Sequence, residues 1–156
     1  MPGPIYIASI SSAVSTGVAK DFFEIDPSTT ERVAIREIRF GQYATSQGST
    51  GFLQVLIWRG SSAACAGGTT GTVIKRDARD RASNSLLTFS ASSPSTGGDL
   101  IGATTWNMRE EFVWRPNPDE RAVTGLGDRI NVRVAGAHET FTWSGRVVFE
   151  ELGTPA

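Results

Sequence analysis

The sequence predicts an all-β fold, an antiparallel sandwich of about eight to nine strands, and three observations carry that expectation. Apolar residues recur at period two along most of the chain, the spacing that puts alternate side chains on one face of a strand. The connectors are rich in Gly, Ser and Thr, which bury little apolar surface and supply turn conformations. One run, FLQVLIWR (52–59), is apolar on nearly both faces. A strand of that kind is central and covered, by a second sheet or by another subunit.

In chain order the expected strands are IYIASISSAV (5–14), KDFFEI (20–25), VAIREIRF (33–40), FLQVLIWR (52–59), GTVIKR (71–76), SLLTF (85–89), EEFVWR (110–115), RINVRVA (129–135) and FTWSGRVVFEE (141–151). The third competes with a helix, because Ser28 and Glu31 stand in capping-box spacing. Strand is preferred: several of its apolar residues are β-branched, and the odd step from Ile35 to Ile38 fits a bulge. IKRDARDRASNS (74–85) reads as a solvated loop. RINVRVA points Ile130, Val132 and Val134 inward and Asn131 and Arg133 outward, as on a half-exposed strand. The loops at 44–51, 60–71 and 90–98 are long, and with this strand number they favour a jelly roll over an immunoglobulin-like domain.

The 156 residues suit a single β-sandwich domain over 1–156, with 1–4 as an extended N-terminal arm and 153–156 as a short tail. The formal net charge is −1 and the isoelectric point is near 5.8. That balance lacks the basic excess of a phosphate-binding surface, so no nucleic-acid partner is expected. No membrane is expected either, since no run approaches the ~20 apolar residues of a span. The opening MPGPIYIASISSAV has neither the charged nor the apolar region of a secretory signal, which points to synthesis in a cytoplasm. Of 15 basic residues, 13 are Arg, with only Lys20 and Lys75 being Lys. Planar guanidiniums suit interfaces; a GC-rich coding sequence gives the same bias.

No catalytic constellation emerges. Lone His138 has no nucleophile–acid order around it and no second His to complete a metal site, so a loop position is expected and cupin-type metal chemistry is not. Cys65 has no pairing or metal-ligand spacing and reads as a small, half-buried apolar residue. AGGTTGTVIKR (66–76) lacks the spacing of a phosphate-cradling loop. The pairs Glu110/Glu111, Asp119/Glu120 and Glu150/Glu151 are adjacent in sequence, and neighbours on a strand diverge to opposite faces, so none is an acid/base dyad. DARDR (77–81) lacks the calcium-loop pattern. No enzyme activity, cofactor or metal is therefore expected.

VWRPNPDER (113–121) is the densest chemical cluster. Pro116 and Pro118 remove two backbone donors and make it a turn. Its Trp114, Arg115, Asn117 and Arg121, together with Tyr6 near the N-terminal arm and Trp106, are the candidate protein-interface residues. A sugar shelf built on Trp106, Trp114 or Trp143 is the alternative from another class; Trp58 and Trp143 are expected in the core and Trp106 at the surface.

In order and texture the chain resembles the small jelly-roll structural proteins of tailed bacteriophages. The resemblance lies in the Ala/Ser-rich opening, VAIREIRF, LQVLIWRG, the Gly/Ser/Thr loops, the WRPNPDER corner and the closing GDRINVRV with WSGRVVFEE. It implies a non-catalytic virion component, a capsid decoration or cement protein that bridges capsid subunits, or else a tail- or fibre-associated one. It also implies a homotrimer on the capsid surface, with the major capsid protein or other virion proteins as partners. An arm at MPGPIYIA adding a strand to a neighbour is compatible with this; a first strand of the chain's own sandwich is the alternative.

Overall fold

The computed structural model describes residues 3–15, 20–43, 51–135 and 140–153. Among these residues, eleven strands form two antiparallel sheets packed face to face. They are β1 (Ile5–Ser15), β2 (Lys20–Asp26), β3 (Val33–Gln42), β4 (Phe52–Arg59), β5 (Thr69–Thr70), β6 (Val73–Lys75), β7 (Leu86–Phe89), β8 (Asp99–Asn107), β9 (Phe112–Trp114), β10 (Ile130–Ala135) and β11 (Phe141–Glu151). One sheet runs β6-β1-β11-β3-β9 and the other β5-β7-β2-β10-β4-β8.

All nine expected strands are present, and two more join them. With the short β5, β6 and β7 set aside, eight principal strands remain. In chain order, the first pairs with the eighth, the eighth with the third and the third with the sixth; in the facing sheet the order is second, seventh, fourth, fifth. That interleaving of two Greek keys is the jelly roll. The segment between β4 and β8 supplies the three short strands: β6 extends the first sheet beyond β1, and β5 with β7 extends the second beyond β2.

The odd spacing in VAIREIRF is a β-bulge. Ile35 pairs with Phe149 and Glu37 with Val148, which leaves Arg36 as the additional residue. The bulge resets the alternation so that Val33, Ile35, Ile38 and Phe40 all enter the core. Ser28 and Glu31 make a turn, Glu31 N donating to Ser28 O at 3.0 Å, and begin no helix. Facing strands fill the interior with aromatic rings. Phe22 and Trp143 stack 4.3 Å apart, and Phe40 meets the edge of Trp106 at 5.0 Å and stacks on Phe112 at 4.7 Å.

Gly145 lets β11 approach β3 closely. A Cβ there would lie 2.5 Å from the Arg39 carbonyl oxygen and 2.7 Å from Phe40 Cβ, so no larger residue fits without a backbone shift. Strand β10 departs from the expected half-exposure. Asn131 is fully buried and Arg133 partly so, because the Ser-rich loops on either side of the β5–β7 insertion fold over the outer face of the sheet. Ser61 Oγ donates to Asn131 Oδ1 at 2.7 Å, and Ser95 N donates to Asp21 Oδ2 at 2.7 Å.

At the N-terminus, residues 3 and 4 lie against the chain's own β11. Glu151 N donates to Pro4 O at 3.1 Å, and Gly3 N donates to Glu150 Oε1 at 2.5 Å. Residues 1 and 2 of the expected arm, His138, most of the loop at 44–51 and most of the tail at 153–156 lie outside the described residues.

Candidate functional site

The proline corner builds one wall of a groove on the outer face of the first sheet. After β9 the chain turns at Pro116, passes through a single 3-10 turn at Pro118–Glu120, and returns beside β3, where Val123 bridges Ala34. The turn is held by Glu120 N donating to Asn117 O at 2.9 Å and by Asn117 Nδ2 donating to Glu120 Oε2 at 3.1 Å. Between this corner and the strands β1, β11 and β3 lies a cavity of about 510 Å³, open to solvent. Ile7 of β1 and Val148 of β11, paired across the ladder, form its apolar floor.

Charge in the groove is one-sided: five arginines, Arg36, Arg76, Arg115, Arg121 and Arg146, line it with one carboxylate, Glu37. The bulge residue Arg36 grips Glu150 side-on, Nε at 3.0 Å and Nη2 at 2.6 Å from the same oxygen. Glu37 is shared. Arg146 donates to Oε1, with Nε at 2.9 Å, and Arg115 donates through Nε at 2.9 Å and through Nη2 to Oε2. Burial on its own would raise the Glu37 carboxyl, but the Arg115 and Arg146 guanidiniums outweigh it and hold it below the usual glutamate range. Arg76 and Arg121 have no carboxylate partner among the described residues. The Nε of Arg121 is shielded from solvent and meets no acceptor among the described residues.

Three of the six candidate interface residues come together here: Arg115, Asn117 and Arg121 line the groove. Trp114, half-buried on β9, packs against the core instead. The other two are corrected. Tyr6 is fully buried, its ring 5.6 Å from Phe149 and its hydroxyl donating to Arg81 O at 3.1 Å, so it serves the core. Trp106 is only 2% exposed, because it belongs to β8, where it faces inward opposite Leu53 and donates Nε1 to Glu110 O at 2.8 Å. Trp143 is in the core as expected, which with Trp106 removes two of the three rings of the sugar shelf.

Trp58, expected in the core, lies on the outer face of β4 with the Arg133 guanidinium 5.7 Å from its ring centre. That face is the second notable surface. Leu53, Val55 and Ile57 enter the core, while Phe52, Leu56 and Trp58 point outward, joined across the ladder by Ala103 and Leu100 of β8. Phe52 is 71% and Leu100 48% exposed. The both-faces apolar pattern of FLQVLIWR thus has one face in the core and one turned outward, where Arg133 lies over Trp58 while Phe52 stays exposed. Beside it, β8 is the edge strand of its sheet.

A third cluster, Asp21, Glu24 and Cys65, brings potential ligand atoms within 4.8 Å of one another on the outer side of β2. Its donors and acceptors are already engaged. Asp21 Oδ1 accepts from Arg133 Nε at 2.8 Å, and Glu24 accepts from Cys65 N at 3.0 Å. Burial, then the charge of Glu24, pushes the Cys65 thiol up to about 12. A thiol held protonated at neutral pH is a poor nucleophile. The adjacent acids diverge as the spacing requires: Glu150 serves Arg36, whereas Glu151 accepts from Ser83 Oγ at 2.6 Å and Ser85 N at 3.0 Å. Nothing in the sequence marked that buried Glu151 anchor, since its partners lie in a loop far along the chain.

No protein family matches the chain by sequence, and no curated protein does. Among the solved structures similar to it are two of infectious bursal virus particles or their VP2 protein. One, of T=1 particles derived from that virus, is 17% identical over 96% of this chain, with a TM-score of 0.22. The other, of a mutant VP2 protein in derived T=1 particles, is 14% identical over 97% of this chain, also with a TM-score of 0.22. The chain spans 40% of the length of each.

Proposed function

We propose that the protein is a non-catalytic structural component of a virus particle, and more finely a bacteriophage capsid decoration protein that bridges capsid subunits as a trimer. The observation that carries this reading is the outward apolar face of β4 and β8. Leu56, Trp58 and Leu100 form an apolar patch, with exposed Phe52 beyond Gln54 on the same strand face, and apolar patches on folded chains mark contacts with other proteins. The jelly roll supports it, being a fold of capsid proteins among other classes. The resemblance in sequence order to phage jelly-roll structural proteins supports the finer statement. Several of the ionisable groups, among them Asp21, Glu37 and Glu151, are engaged in ion pairs that tie strands and loops together, an arrangement suited to a rigid subunit.

Light scattering coupled to gel filtration tests the assembly. The wild type is expected at the mass of a trimer, and Phe52→Ser with Leu100→Ser at the mass of a monomer that still unfolds cooperatively. A wild type that stays monomeric at every concentration contradicts the reading. A tail- or fibre-associated subunit would use the same face; co-sedimentation with tails and not with heads would identify it.

A further inference from the structure

The groove beneath the proline corner has a charge pattern that its own chain does not balance. Its five arginines meet one lining carboxylate. Arg36 is neutralised by Glu150, but Arg115 and Arg146 divide Glu37 between them, and Arg76 and Arg121 have no acid among the described residues. A surplus of positive charge is therefore concentrated in one concavity of a chain whose net charge is −1.

The chemistry of a partner follows from how the groove treats acids already in it. Arg36 and Arg115 each present Nε and Nη2 together to a carboxylate, the side-on fork that guanidinium offers and lysine does not. Ile7 and Val148 give an apolar floor on which the methylenes of an acidic side chain rest. A nucleic-acid backbone fits poorly. The rim carries exposed Asp119 and Glu120, which would face a continuous line of phosphates, whereas a short protein segment can place its acids inside and its backbone outside.

We propose that this groove is a docking site for an acidic segment of a partner protein, whose Asp or Glu carboxylates pair with Arg76 and Arg121 and complete the Glu37 cluster. The groove lies on the sheet opposite the apolar β4/β8 face, so the proposal stands or falls independently of the particle reading.

Fluorescence anisotropy with a fluorescein-labelled polyglutamate peptide tests it on the full chain, with an oligothymidylate and inorganic phosphate as competitors. The expected result is saturable binding that weakens as salt is added. Arg121→Ala and Arg76→Ala should each weaken it about tenfold, and Arg121→Lys should restore it only in part, since charge returns without the fork. Arg76 is exposed, so its variant keeps the test valid if removal of Arg121 perturbs folding. No saturable polyglutamate binding, affinity unchanged in Arg76→Ala, or displacement by oligothymidylate at lower concentration than by free polyglutamate would each overturn the proposal.

Discussion

Two buried glutamates in this fold have opposite relations to pH. Glu37 is held low by Arg115 and Arg146 despite burial, so its folded pKa lies below the unfolded value of about 4.3. Its contribution is present above that value and is lost as pH falls through the folded pKa. Glu37→Gln should therefore lower stability by about 1 kcal/mol near neutral pH and flatten the acid side of a urea-midpoint profile. Glu24 is raised, chiefly by burial, with the Cys65 N–H offsetting part of the rise. A raised carboxyl favours the folded state below its unfolded pKa, and that advantage is lost as pH rises through the folded one. Glu24→Gln keeps an acceptor for Cys65 N and should stabilise the protein by about 1 kcal/mol near neutral pH, read from the same profiles. Cys65 offers a third check. With its thiol pushed up to about 12, a thiol-specific reagent at mildly alkaline pH should react with it far more slowly than with a free cysteine. Fast labelling of the native protein would show that Glu24 and burial do not control the thiol.

At the level of strands, what the sequence could and could not convey turns on bulges. β3 was readable because Ile35 and Ile38 break the alternation between two clear apolar runs, and the bulge at Arg36 was the expectation that fitted. The same bulge aims Arg36 into the groove, a consequence with no trace in the apolar pattern. β8 was not readable. Ile57 pairs with Gly102 and Trp58 with Leu100, so Ile101 is the added residue and the parity of DLIGATTWN flips partway. Gly102, Ala103 and two threonines then leave no apolar alternation to detect. Missing β8 put Trp106 at the surface, and reading FLQVLIWR as covered on both sides put Trp58 in the core; the structure exchanges them. Trp106→Ala should accordingly cost about 3–5 kcal/mol of folding stability, while Trp58→Ala should cost far less in the monomer, as denaturant titrations of the two variants would report. Gly145→Ala should cost about 2 kcal/mol, because β3 backbone occupies the place of the new methyl.

For the molecule as a whole, the jelly roll was legible from strand number and loop length, and the roles of its two outer faces were not. Both faces depend on which residues a sheet order brings side by side. One sheet gathers arginines from β3, β11 and the proline corner; the other aligns Phe52, Leu56 and Trp58 with the edge strand β8. The two surfaces differ in kind, so an assembly that uses the apolar face should resist salt, whereas the arginine groove should release its partner as salt rises. The central claim is that the chain works as a particle subunit through its β4/β8 face. Co-sedimentation with phage heads stripped of this protein tests it most directly, comparing the wild type with the Phe52→Ser, Leu100→Ser double variant. The account predicts that the wild type pellets with heads in moderate salt and that the folded double variant stays in the supernatant. A wild type that never pellets with heads, or a double variant that pellets as well as the wild type, would contradict it.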